Sequence, residues 1–217
     1  MRDLGFGRLG TILCLGAHSD DIEIGAGATV LRLVRENPGA RVVWVVCAAA
    51  GARGAEARAS AGRFLEGAGA AEIVLREFRD GHFPHHWAEV KAFLETLKGA
   101  EPDLVLTHYR DDLHQDHRTL SELNWNTFRD HAILEYEIPK WDGGMGAPNA
   151  FVPASVADAD RKIATLLECF ASQAGKHWFD DLTFRGLMRL RGLECNAPDG
   201  LAEAFYARKL RLGGAPA

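Results

Sequence analysis

The sequence predicts an α/β fold, a mainly parallel sheet with helices on both faces, and three observations predict it. Short apolar runs alternate with segments of helical periodicity along most of the chain. One of the runs, Arg41–Ala48 (RVVWVVCA), is β-branched and continuously apolar, as a central strand covered on both faces requires. The 217 residues, 47% of them hydrophobic, are enough for one full core and fit a single domain over 1–217.

Each element has its own signal. Thr11–Leu15 reads as a strand and Gly16–Asp20 as a turn; the helix that follows runs to about Glu36, where Asn37-Pro38-Gly39 stops it. After Arg41–Ala48 a Gly/Ala loop leads to a helix from about Ala55 to Gly67. A short strand, Glu72–Leu75, precedes a loop rich in His and Gly. Trp87–Lys98 has helical periodicity, and Pro102 introduces the strand Leu104–Thr107. The polar loop HYRDDLHQD opens a helix from about His117 to Phe128, and Ile133–Ile138 reads as a fifth strand. Pro139–Asn149 (PKWDGGMGAPN) is full of Gly and Pro and reads as a loop or lid. Helices at about Ala157–Phe170 and Leu182–Arg191 and an alternating segment, Ala204–Leu212, complete the chain, with no internal repeat and no low-complexity linker.

Composition excludes several classes of function. A quarter of the residues are charged and the formal net charge is −5, which rules out a largely disordered chain and gives nucleic acid or an anionic membrane no electrostatic hold. The longest apolar run, Val42–Ala50, is far short of the ~20 residues a membrane helix needs, and MRDLGFGRLG has no signal-peptide core. Cys14, Cys47, Cys169 and Cys195 are widely spaced, and the first two sit in strand-like runs as small buried hydrophobes. A reducing cytoplasm is the expected compartment. An apolar face for a second copy would look the same as one for the core, so the pattern assigns no oligomeric state.

Two loops carry an unusual density of His and Asp, and both follow predicted strands, at the carboxyl edge where such sheets bind ligands. The first reads Ala17-His18-Ser19-Asp20-Asp21 and the second Asp111-Asp112-Leu113-His114-Gln115-Asp116-His117. Taken singly, each fits a polar loop ahead of a helix, with Asp20 or Asp21, and Asp112 or Asp116, as the cap. Taken together they offer more. His18, Asp21 and His117 supply two imidazoles and a carboxylate, the donor set of a catalytic zinc site whose fourth position is left to water. Asp20 and His114 then remain beside the metal as unligated acid–base groups, as metal-assisted hydrolysis needs.

The pattern A-H-x-D-D followed about a hundred residues later by H-x-D-H resembles the LmbE-like, or PIG-L, zinc-dependent de-N-acetylases. Further pieces fall in the same order: Arg53-Gly54-Ala55-Glu56-Ala57, Asp80-Gly81, Ser172-Gln173 and Ala202-Glu203-Ala204-Phe205. The resemblance runs over nearly the whole chain and implies a Rossmann-like sheet. It implies zinc, or iron in its place, on His18, Asp21 and His117. It implies Asp20 as general base, and His114 as the group that protonates the amine or steadies the oxyanion. Asp116 would orient His114. The implied substrate is a small N-acetylated amino sugar or its glycoconjugate.

This chain departs from the family pattern at Ser19 and Gln115, which replace frequent prolines, and at Ile22, where many members have Glu; Glu23 follows one place later. None of these removes a ligand. Some members place a tyrosine just before the second motif, where this chain has Asp112-Leu113. Among other features, Arg53, His82 and Trp141 are candidates for substrate contact. His82, His85 and His86 read as an exposed loop more than as a second metal site, and Trp141 and Trp178 can stack on a sugar or fill the core. Gly25-Ala26-Gly27 has a trace of a dinucleotide fingerprint, but it lies inside the first helix and fits close helix–sheet packing better.

Two other readings compete. An amidase of the same family acting on a larger amide, a thiol conjugate or an antibiotic precursor, shares the metal, base and acid. A non-hydrolytic Rossmann-like nucleotide-binding domain shares the sheet, but it needs a glycine-rich turn where this chain has His18-Ser19-Asp20-Asp21, and the two carboxylates would repel a pyrophosphate.

Overall fold

The computed structural model describes residues 3–211. Its strands are β1 (Thr11–His18), β2 (Arg41–Ala48), β3 (Ala70–Leu75), β4 (Leu104–His108), β5 (Ala132–Tyr136), β6 (Ala150–Pro153) and β7 (Ala202–Tyr206). They form one sheet in the order β3-β2-β1-β4-β5-β7-β6. The first five run parallel, and β7 is antiparallel to both β5 and β6. The helices are α1 (Asp21–Glu36), α2 (Ala52–Phe64), α3 (Trp87–Thr96), α4 (Gln115–Thr127), α5 (Val156–Cys169) and α6 (Asp181–Cys195). The chain is therefore the expected α/β fold, parallel over five strands of seven.

The pleat divides the core in two. Along β2, Val42, Trp44 and Val46 join Ile12 and Cys14 of β1 on one face, under Ala61 and Phe64 of α2 and Ile163 and Leu166 of α5. Val43, Val45 and Cys47 point the other way with Leu13 and Leu15, against Val90 and Phe93 of α3 and Leu120 and Leu123 of α4. Burial on both faces is why the strand sequences are continuously apolar instead of alternating. The expected tight packing of α1 is present: a Cβ at Gly25 would collide with the Tyr136 ring, and one at Gly27 would press on Phe64.

Several boundaries differ from expectation for local reasons. β1 continues through His18, which stays in register opposite Ala48, so the turn shrinks to Ser19 and Asp20. α2 starts at Ala52, after Gly51 turns the chain at φ 59°, and stops at Phe64, three residues before Gly67. α4 starts at Gln115 because the His114 ring caps it, Nδ1 accepting the Asp116 N–H at 3.3 Å. β5 ends at Tyr136, while α6 runs on to Cys195 and closes at Asn196 in the left-handed region. The short β6 was not expected. β7 begins two residues ahead of the alternating Ala204–Leu212 segment, of which Leu212 lies outside the described residues. Pro139–Asn149 is irregular, as its Gly and Pro content predicts.

The strand order reverses between β1 and β4, whose neighbours lie on opposite sides. That reversal opens a crevice at the carboxyl edge and brings the β1–α1 and β4–α4 loops together, although they are about ninety residues apart. No described helix is long and apolar enough to cross a membrane.

Candidate metal centre

His18 is the last residue of β1, Asp21 the first of α1, and His117 lies in the first turn of α4. Their donor atoms converge. His18 Nδ1 stands 3.1 Å from His117 Nε2 and 3.2 Å from Asp21 Oδ2, and His117 Nε2 stands 3.4 Å from the same Oδ2. Tetrahedral zinc with bonds near 2.0–2.1 Å needs ligand atoms about 3.3 Å apart, so this triangle has the right edge for a metal ion. Two imidazoles and a carboxylate suit zinc or iron(II) in donor type as well.

His18 and His117 are each held from behind, as metal ligands usually are, while Asp21 is held at the oxygen that faces them. Asp112 Oδ2 accepts His117 Nδ1–H at 3.1 Å. The far nitrogen of His18, Nε2, faces Asp80 Oδ1 at 3.0 Å and Asp116 Oδ2 at 3.3 Å. Asp21 Oδ2 accepts the His18 amide at 2.6 Å and lies 3.2 Å from His108 Nε2. Burial opposes charge on Asp21, but the surrounding imidazoles outweigh it and hold the carboxyl well below the usual range. At Asp112 burial is likewise overcome, by the His117 hydrogen bond and Lys140. The Asp80 carboxyl is lowered to about 2, chiefly by its hydrogen bond to His18.

Asp20 occupies the N-cap position of α1 yet makes no capping bond. Its Oδ1 accepts instead from Arg53 Nη2 at 2.7 Å, so the bland capping reading fails for this carboxylate. Burial raises its pKa against the pull of the guanidinium. His114 lies edge-on to His18, with ring centroids 4.9 Å apart. Burial, followed by the charges of His117 and His18, lowers its pKa and favours the neutral ring. Because its Nδ1 accepts the Asp116 amide, the proton of that neutral ring is on Nε2.

A cleft of about 280 Å³ joins these groups. It is lined by His18, Asp20, Asp21, His114 and His117, together with Arg53, Asp80, Lys140, Trp141, Lys176 and Trp178. Trp141 is 75% exposed and meets the His177 ring edge-on at 4.0 Å.

Two expectations are corrected. The Asp116 carboxylate does not reach His114: its oxygens accept the Phe83 amide at 3.0 Å and the Gly81 amide at 2.6 Å, and face His18. Only its backbone N–H serves His114. His82 does not line the cleft either, because its Nδ1 is engaged by the Asp80 carbonyl at 2.9 Å, and Asp80 enters in its place.

Four residues of the site were given no part in the chemistry by the sequence. Asp112 was visible as a carboxylate five positions before His117. Asp80 was visible as part of an ordered motif. His108 ends β4 and stacks on His117 at 3.9 Å; burial and the His117 charge hold it near pKa 3, and a polar residue closing an apolar strand was its signal. Lys140 had no signal, since its partner Asp112 is 28 residues away.

Residues 13–128, more than half of the chain, match the model of the PIG-L family, GlcNAc-PI de-N-acetylase. The chain belongs to the PIG-L family. The matched stretch holds every residue of the metal triangle. Solved structures agree in fold. N,N'-diacetylchitobiose deacetylase from Pyrococcus horikoshii is 18% identical, with a TM-score of 0.69 over 92% of this chain and 84% of that one. A zinc-inhibited form of teicoplanin deacetylase is 12% identical, with a TM-score of 0.68 over 90% and 97%. The 4-carboxy-2-hydroxymuconate hydratase GalB from Pseudomonas putida KT2440 is 16% identical, with a TM-score of 0.73 over 96% and 100%. PIG-L chains are de-N-acetylases by description, while the same fold also serves a hydratase, so the chemistry has to be argued from the site.

Proposed function

We propose that this PIG-L chain is a metal-dependent hydrolase that removes the acetyl group from an N-acetylated amino sugar or glycoconjugate. The observation that carries the reading is the triangle of His18, Asp21 and His117 opening on a cleft, with the uncapped carboxylate of Asp20 beside it. Zinc, or iron(II), held by these three residues would supply an acidified water and a Lewis acid for the amide carbonyl.

The chain's own groups do the rest. Asp20 takes a proton from the attacking water and, poised by burial against Arg53, passes it to the departing nitrogen. His114, neutral and protonated on Nε2, donates to the oxygen on which charge develops. Of the two roles open to His114, its tautomer therefore favours steadying the oxyanion. Asp116 positions His18 and the Gly81–Phe83 loop. Arg53 and Trp141 both line the cleft and are the candidates to meet a sugar hydroxyl and a sugar face.

The test is acetate release from a panel of N-acetyl amino sugars, with zinc and iron(II) each titrated from substoichiometric amounts upward, because one structural neighbour is described in a zinc-inhibited form. Metal-dependent acetate release from an amino sugar supports the reading. Release of a larger acid from a thiol-conjugate or antibiotic-type amide, without acetate, moves the substrate to the amidase class. Water addition to an unsaturated carboxylic acid with no amide cleavage would overturn the hydrolase reading.

A further inference from the structure

Lys140 stands at the root of the irregular Pro139–Asn149 segment, and its side chain is only 9% exposed at the edge of the cleft. Its ammonium donates to Asp112 Oδ2 at 2.5 Å and to the Ile138 carbonyl at 2.9 Å. The same Oδ2 accepts His117 Nδ1–H, and Oδ1 accepts the His114 amide at 2.7 Å. One buried carboxylate thus fastens a metal ligand, the backbone of the residue that caps α4, and a cation delivered by a distant loop. The loop is itself tied down beyond Lys140. Gly144 lies against Leu113, so closely that a Cβ there would press on it, and Arg191 Nη2 donates to the Gly146 carbonyl at 3.1 Å.

We propose that Lys140 is a positioning residue that couples the Pro139–Asn149 segment to the metal centre through Asp112 and His117. The proposal rests on the metal-hydrolase reading above. Asp112 is 3% exposed, so the carboxylate depends on bonded partners in place of water. With the ammonium removed, the carboxylate keeps only the His117 N–H on Oδ2 and the His114 amide on Oδ1, so the acceptor of the His117 ring is less firmly fixed from the loop side. Loss of such an outer partner commonly costs 10–100-fold in metal affinity. The adjacent Trp141 and Asp142 line the cleft, so a movement of the segment reaches the substrate wall and the metal ligand together.

The experiment measures zinc affinity of the full chain by competition with a chromophoric chelator, with zinc alone as probe. The variants are Lys140→Met, Lys140→Arg and Trp141→Ala, each checked for folding by circular dichroism; Lys140→Gln replaces Lys140→Met if that variant folds poorly. Lys140→Met should bind zinc at least tenfold more weakly, Lys140→Arg should recover part of the loss, and Trp141→Ala should match the parent. Parental affinity in Lys140→Met would overturn the proposal. So would an equal loss in Trp141→Ala, which would assign the effect to the segment as a whole. Failure of the parent itself to take up zinc would sink the metal reading, a result distinct from either.

Discussion

Lys162 and Glu203 meet 2.7 Å apart inside the protein, and between them they occupy both ends of one hydrogen-bond position of α1. The Lys162 ammonium donates to the Ile24 carbonyl at 2.7 Å, and Glu203 Oε1 accepts the Ala28 amide at 3.0 Å, the pair that an α-helix would join. Glu203 Oε2 also accepts the Thr29 amide at 2.7 Å. The ion pair thereby ties α5 and β7 to the helix whose N-terminus carries Asp20 and Asp21.

Removal of one partner should be far worse than removal of both charges. Lys162→Met leaves a buried carboxylate without its cation and should cost about 3–5 kcal/mol. Lys162→Met with Glu203→Gln keeps an acceptor for one α1 amide and should recover a substantial part of that loss. Urea unfolding of the two variants decides the matter; a loss under about 1 kcal/mol in Lys162→Met would show the pair to be dispensable.

A second ion pair predicts a pH dependence. Arg35 grips Asp158 with both nitrogens, at 2.7 and 3.0 Å, joining the last turn of α1 to the first turn of α5. Burial disfavours charge on Asp158, but Arg35 and the Ser155 hydroxyl outweigh it and lower its pKa. A carboxyl lowered on folding stabilises the native state above its unfolded pKa of about 3.9, and the contribution is lost as pH falls through the folded value. Asp158→Asn should therefore be less stable than the parent at pH 7 by about 1 kcal/mol, with the gap closing below about pH 4. Urea midpoints at pH 7, 5 and 3 test the sign: a gap that widens toward pH 3 would contradict it.

The order of strands and helices was legible because each run is apolar enough to declare its period, and β2 shows this most plainly. Boundaries were less legible where the capping group was unusual. The imidazole of His114 does at α4 what Ser or Asp usually does, and a search for the usual residues starts the helix two positions late. His18, Asp21 and His117 were readable because two short motifs hold them in adjacent loops. Lys140, His108 and the carboxylate of Asp116 were not, since their partners are fixed by register and loop course. Asp116 is the instructive case. The family resemblance implied that it orients His114, yet its carboxylate accepts the Gly81 and Phe83 amides instead.

The ligand assignment predicts a graded loss of metal. His117→Ala removes one of three donors and should leave the purified chain without stoichiometric zinc. Asp112→Asn keeps a neutral acceptor opposite His117 Nδ1 and should weaken zinc about 10–100-fold while leaving the site able to fill at high zinc. Elemental analysis after dialysis against a weak chelator measures both; undiminished zinc in His117→Ala would exclude His117 as a ligand.

Asp20→Ala separates metal binding from proton transfer. The Asp20 carboxylate is bonded to Arg53 and belongs to no edge of the metal triangle, so its loss should leave zinc content unchanged. Without a positioned proton acceptor, turnover should fall by about 10²–10⁴. The Arg53 guanidinium would then face the cleft without its carboxylate, so Arg53→Ala is the needed control. Its effect should be smaller and fall partly on KM, because the acceptor itself remains. Measured at saturating zinc, full activity in Asp20→Ala would refute the base assignment. A loss matched by lost metal would instead make Asp20 a ligand, and the triangle would have to be redrawn around it.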